Sequence, residues 1–482
     1  MKVRACLLLT PCLLAGCRTT IRDFQTPVDV PSEWTQVEEE GPVLPDRWWT
    51  ALGDPSLDRL VDTAIDGNFS LRMAWDRLSQ ARAIARRDGA DVYPTLDGTG
   101  SVGRSRDQNG TYTTDWDLGL LASYEVDLWG RVRSTRDAAL LDAMTAEEDV
   151  RAAAISLVAD IANRWFEYAE QSQRIEVLRR QQRSNQDVLE VITAQFRAGQ
   201  VHAQDVLRQK NLVEAVLGDL ALAQQQSETT RLQLLALLGL PPDATLPAAS
   251  AALIELPELP DLGIPATMLQ QRPDVRSAYR AVQAADRRMA AAIADRYPAI
   301  SMSASVGTSA TRADDLFGDW AANLAGNLVQ PLLDGGRRRA EVDRALANAA
   351  EAINSYGMTV LTALHEVETA LAQERQQMLY VESIDRQFVT AQRVVERVRD
   401  SYLGGQSDYL NVLDAQTTAQ QLELQRLEAR RVLIGYRVDL SRALAGGWAM
   451  STPESARFIE VSDSPDSPVN GASRDTDPGA SQ

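Results

Sequence analysis

Residues 116–131 read Trp116-Asp117-Leu118-Gly119-Leu120-Leu121-Ala122-Ser123-Tyr124-Glu125-Val126-Asp127-Leu128-Trp129-Gly130-Arg131, and the periodicity changes within that run. Up to Leu128 it is two. Trp116, Leu118, Leu120, Ala122, Tyr124, Val126 and Leu128 share one face, while Asp117, Gly119, Ser123, Glu125 and Asp127 share the other, with Leu121 the exception. That is a strand with one apolar and one polar face. After Gly130 the period is seven: Ile161, Tyr168, Ile175, Leu189 and Phe196 form a column interrupted by Gln182. A sustained seven-residue column is a coiled-coil seam. No proline occurs from Arg131 to Ala198, and a helix of that span is about 100 Å long.

Moving outward, the same text recurs. Tyr93-Pro94 returns as Tyr297-Pro298, an offset of 204; Trp129-Gly130-Arg131 returns as Gly335-Gly336-Arg337, an offset of 206. Phe196-Arg197-Ala198-Gly199-Gln200 returns as Tyr402-Leu403-Gly404-Gly405-Gln406. The second seven-residue column is Ile353, Val360, Val367, Val381, Phe388, Val395 and Tyr402, with Glu374 interrupting. Gly199 and Gly405 break the long helices, and second helices follow over about 203–238 and 408–445. Each half is therefore a long helical hairpin preceded by strands. The expected organisation is a signal peptide over 1–16, a lipid-anchored N-terminal segment over 17–54, and a first repeat over 55–240 with strands at 95–105 and 115–128. A linker over 241–272 follows, then a second repeat over 273–448 with strands at 299–308 and 319–330, and a disordered acidic tail over 449–482.

The N-terminus supplies the compartment. Lys2 and Arg4 precede an apolar stretch from Ala5 to Gly16, too short to span a bilayer and typical of a secretion signal. Leu14-Ala15-Gly16-Cys17 resembles a bacterial lipobox, so Cys17 is the expected lipidation site, and Arg18 is not the aspartate that retains lipoproteins in the inner membrane. Alternation alone also fits a half-buried sheet in a soluble domain. With an outer-membrane anchor, ten-residue strands of this kind fit an outer-membrane barrel. Four strands cannot close one, and open edges in lipid leave backbone groups unpaired, so copies must join.

Composition closes other doors. The 482 residues carry 49 basic and 67 acidic side chains, a net charge of −18. Such a chain is unsuited to wrapping nucleic acid. Two histidines, His202 and His365, and three cysteines leave little for a zinc site. No cofactor, metal centre or catalytic constellation is expected, so the chain does not read as an enzyme.

The motifs taken together point to a family. Tyr124 through Arg131 resembles the strand-to-helix junction of TolC-like outer-membrane efflux factors, nearest their lipoprotein (NodT-type) branch. Arg272-Pro273-Asp274-Val275, Leu332-Leu333-Asp334-Gly335-Gly336-Arg337 and Leu413-Asp414-Ala415-Gln416 resemble it too. The resemblance implies a mostly α fold with membrane β: a homotrimer whose twelve-stranded outer-membrane β-barrel, four strands per chain, continues into a long periplasmic α-helical barrel. It implies the passive exit duct of a tripartite efflux system, working with a periplasmic adaptor protein and an inner-membrane pump, often of the resistance-nodulation-division class. Alternatives are a duct for protein secretion and a lipid-anchored periplasmic coiled-coil scaffold. By position in the family, Asp205 and Asp414 are candidates for an acidic ring at the periplasmic aperture, Leu410 for its apolar constriction, and Tyr402 and Asn411 for gate-locking groups. Asn411 replaces an aspartate, and Ser407 an arginine, found in some relatives, so a salt-bridged lock is not expected.

Overall fold

A computed structural model describes residues 27–35, 44–247 and 253–446. Cys17, the expected signal peptide and the expected acidic tail lie outside the described residues. The order is α1 (Pro55–Gly67), α2 (Phe69–Ala90), β1 (Thr95–Arg106), β2 (Tyr112–Glu125), α3 (Arg131–Arg197), α4 (Ala203–Leu238), α5 (Pro265–Gln271), α6 (Pro273–Ala294), β3 (Ala299–Ala310), β4 (Ala321–Val329), α7 (Arg337–Leu403) and α8 (Tyr409–Leu444). The stretch 241–272, expected as a linker, carries the short helix α5.

The four strands form one antiparallel sheet in chain order. Its register puts Leu96, Val102, Trp116, Leu118, Leu120, Met302, Val306, Leu324 and Leu328 on one face. The other face holds mainly serine, threonine, asparagine, alanine and glycine, with Leu121 and Val329 as exceptions, the acids Asp97, Asp115, Asp117 and Glu125, and no lysine or arginine. The apolar face has no cover among the described residues: Leu324 is 73% exposed and Leu328 66%. A soluble half-buried sheet would have buried those side chains, which decides between the two readings of the alternation.

β2 starts at Tyr112 and stops at Glu125, earlier at both ends than the alternation suggests. The early stop has a local cause. Asp127 turns back to accept the Val132 and Arg133 N–H groups at 3.2 and 2.9 Å, satisfying the first turn of α3. Burial pushes the Asp127 pKa up, but the Arg133 and Val132 N–H groups outweigh it and hold the carboxyl below its ordinary value. Gly130 takes the left-handed conformation this turn requires, with φ 79°. Asp334 does the same for α7, accepting from Gly336 and Arg338 at 3.0 and 3.2 Å. The motif shared by the halves is thus a helix cap at the end of a strand.

Each long helix changes partners along its length. The upper part of α3 packs on α2 and α6 and its lower part on α4 and α8, while α7 packs on α6 above and α8 below. At the waist the end of α4 meets the start of α2, where Asn68 donates to the Leu237 carbonyl at 2.8 Å. The approach is so close that a Cβ on Gly239 would stand 2.3 Å from the Gly67 carbonyl oxygen. In the second half Arg272 occupies the place of Asn68, donating to the Ala443 carbonyl at 3.0 Å and to Asp274 and Glu366 at 2.7 Å. Two apolar cores surround these junctions, one with Trp48, Trp49, Trp75, Ile161 and Trp165, the other with Met268, Val275, Val360 and Val367.

Glu374, the interruption in the second column, is 1% exposed and pairs with Arg437, itself 3% exposed, with Nε 3.0 Å from both carboxylate oxygens. The same guanidinium donates to the carbonyls of Pro257 and Glu258 at 2.8 and 3.0 Å, pinning the connection between the halves. Arg231, 206 positions earlier, likewise holds carbonyls at that connection's other end, those of Pro242 and Ala244.

Candidate functional site

The ends of the two hairpins, far from the sheet, bring most of the sequence candidates together. The α3–α4 turn spans residues 198–202 and the α7–α8 turn 404–408. α8 buries Tyr409, Val412 and Ala415 against its neighbours and leaves Leu410, Asn411, Asp414 and Thr418 exposed along one face. Leu410 is 47% exposed, and Asn411 donates to the Ser407 hydroxyl one turn back at 3.1 Å. The structure thus gathers Leu410, Asn411 and Asp414 on one open helical surface.

Asp205 and Tyr402 sit elsewhere. Asp205 is 8% exposed and its carboxylate accepts the His202 N–H at 3.2 Å, the reciprocal half of a capping box at the start of α4. Tyr402 donates to Gln195 Oε1 at 2.9 Å, tying α7 to α3, and its ring meets that of Tyr409 edge-on, with centroids 5.8 Å apart. Burial, reinforced by the Asp205 charge, pushes the Tyr402 pKa up. The same burial, with Tyr402 and Asp205 adding, pushes Tyr409 higher still. Both hydroxyls are therefore neutral donors.

Tyr409 leads into a network that an apolar pattern does not announce. Its hydroxyl donates to Gln209 Oε1 at 2.6 Å, and Gln209, fully buried, donates to the Asn185 backbone carbonyl at 2.7 Å. The Asn185 side-chain oxygen, equally buried, accepts from Gln416 and Gln420 at 2.5 and 3.0 Å. Farther up, Gln181 reaches the Gln420 carbonyl at 3.2 Å and Glu423 at 3.0 Å, and Arg180 reaches Glu423 at 2.9 Å. The two hairpins therefore meet through a ladder of amides, in contrast to the apolar waist. The signal in the sequence was the recurrence of glutamine and asparagine at helical spacing on facing helices.

This arrangement holds two helical ends together through hydrogen bonds and presents a polar face that carries the Asp414 carboxylate. A family model described as outer membrane efflux protein matches residues 60–240 and 264–446. The chain is 31% identical to the pyoverdine export outer membrane protein OpmQ of Pseudomonas aeruginosa PAO1, over 93% of this chain and 98% of OpmQ. It is 28% identical to nodulation protein T of Rhizobium leguminosarum bv. viciae, over 93% of this chain and 94% of that protein. Among solved structures, the outer-membrane channel OprN superposes with a TM-score of 0.82 at 26% identity, covering 88% of this chain and 98% of the OprN chain.

Proposed function

The chain belongs to the outer membrane efflux protein family, and on that footing we propose that three copies form the exit duct of a tripartite efflux system. The sheets join into a twelve-stranded barrel through the outer membrane, and the hairpins form a helical tunnel across the periplasm. A periplasmic adaptor and an inner-membrane pump, whose class is expected to be resistance-nodulation-division, meet the hairpin ends, and the duct conducts small molecules passively. The observation carrying this reading is a four-stranded sheet with an exposed apolar face and two unpaired edges, continuous with helices about 100 Å long. Unpaired edges in hydrocarbon need a partner, and identical copies supply it. Acylation of Cys17 anchors the chain to outer-membrane lipid in this reading. Protein from outer membranes, reconstituted in planar bilayers, is expected to conduct as a heat-modifiable trimer. A monomer without conductance would leave only the lipid-anchored scaffold.

In this duct Leu410, Asn411 and Asp414 line the periplasmic aperture, while Tyr402 and Asp205 stand behind it and hold its wall. This divides the candidate acidic pair: Asp414 supplies the ring and Asp205 caps a helix. Three copies of one carboxylate in a narrow pore favour cations. Asp414→Asn is therefore expected to lower the potassium-to-chloride permeability ratio several-fold. Asp205→Asn keeps an acceptor for the His202 N–H, so it should leave that ratio alone and cost only about 0.3–1 kcal/mol for the lost charge at the helix N-terminus. An unchanged ratio in Asp414→Asn removes that residue from the narrow part of the pore.

A further inference from the structure

The repeat fixes how one copy meets the next. Paired residue numbers add to 218 across β1 and β2 and to 628 across β3 and β4. The difference, 410, is 204 plus 206, the two offsets read in the sequence. β1 therefore maps onto β3, and β2 onto β4, residue for residue. β2 and β3, whose paired numbers add to 426, are the joint between one repeat and the next. We infer that the joint between copies reproduces it: β4 of one chain lies antiparallel to β1 of its neighbour, with paired numbers adding to 428. This rests on the ring proposed above and adds the register and side chains of its seam.

The local chemistry agrees. In the intrachain joint the Val126 N–H donates to the Ile300 carbonyl at 2.8 Å, making that a hydrogen-bonded pair. Its counterpart in the seam is Leu332 opposite Leu96 of the next copy. Pro331 then falls at a position whose N–H points away from the seam, the one place there where a missing donor costs nothing. Leu332 and Leu333, at 91% and 96%, are the most exposed large apolar side chains among the described residues, and Leu96 is 69% exposed. The intrachain joint is closed by Trp129, which stacks on Tyr297 at 4.9 Å and donates to the Pro298 carbonyl at 2.8 Å. Tyr93-Pro94 of the next copy stands where Tyr297-Pro298 stands in that joint, and Tyr93 is 71% exposed. The seam buries both leucines against that edge.

The test is a cysteine pair. Asn327 and Ser101 add to 428 and form a non-hydrogen-bonded pair, the closer kind, with Cα atoms about 4.5 Å apart. Asn327→Cys with Ser101→Cys in the full chain in outer membranes is expected to give covalent trimer on mild oxidation, reversed by reductant. The slipped pairs, Ala325→Cys or Val329→Cys with Ser101→Cys, should cross-link at least about tenfold more slowly, because a two-residue slip adds about 7 Å along the strand. The chain without added cysteines is the blank for Cys17. Faster reaction of a slipped pair overturns the register and leaves the ring intact. No reaction in any pair, with light scattering still reporting a trimer, overturns the seam. No reaction with a monomer overturns the ring itself.

Discussion

Arg437→Met destabilises the chain by about 3–5 kcal/mol, the cost of leaving one member of a buried ion pair without its partner. Glu374 would remain 1% exposed with no cation beside it, and the Pro257 and Glu258 carbonyls would lose their donor. The expected result in detergent is a thermal midpoint lower by many degrees at fixed scan rate, together with faster proteolysis within residues 253–264. Adding Glu374→Leu removes the unpaired charge and should recover much of the midpoint, because apolar side chains can replace a buried pair at little cost. It should not restore protease resistance, because the pinned carbonyls stay free. Arg231→Met is the control: its carboxylate partner, Glu228, is exposed, so the change should be a small fraction of the first. An unchanged midpoint for Arg437→Met would show that the connection between the halves is held by its apolar contacts alone.

Gln209→Leu raises the resting conductance of the duct by about tenfold or more. The substitution leaves the Tyr409 hydroxyl buried without its partner, at about 1–3 kcal/mol, and removes a second donor from the Asn185 carbonyl, which keeps its bond within α3. That cost falls on the arrangement in which the hairpins touch and vanishes once they part into water. Each 1.4 kcal/mol is about a tenfold change in the balance. Tyr409→Phe removes only a hydroxyl and should act in the same direction with a smaller effect. The tyrosines also set a pH window. Their folded pKa values lie above the ordinary 10.0, so the contribution of the neutral hydroxyls is fully present below that value and is lost only as pH rises beyond it. Resting conductance should thus stay flat between about pH 6 and 9. A Gln209→Leu duct no leakier than the parent would show that this ladder does not hold the ends together.

Much of the fold could be read before any coordinates. The alternation at Trp116–Leu128, the seven-residue columns and the two offsets gave strands, long helices and duplication, because each rests on a period that survives in a single sequence. What remained hidden was polar. The column through Ile161, Ile175 and Phe196 is one flank of its seam; the other flank holds Gln181 and Asn185, more deeply buried than half-buried Gln182. A search for apolar residues passes over them. Glu374 looked like a flaw in its column because Arg437, its reason, lies 63 positions away. Asp205 reads equally as a ring residue or a helix start, and the His202 contact that supports the second reading is invisible in the sequence.

The sheet's polar face has a consequence for cargo. It carries Asp97, Asp115, Asp117 and Glu125 in every copy, and among the described residues only Glu125, at the periplasmic end, has a cation beside it, Arg131 at 2.6 Å. An anionic molecule leaving the cell would travel along a wall of its own sign for the full thickness of the bilayer, and it would do so accompanied by counter-ions drawn from the medium. Its flux should therefore climb with ionic strength, while that of a neutral molecule of equal size should not.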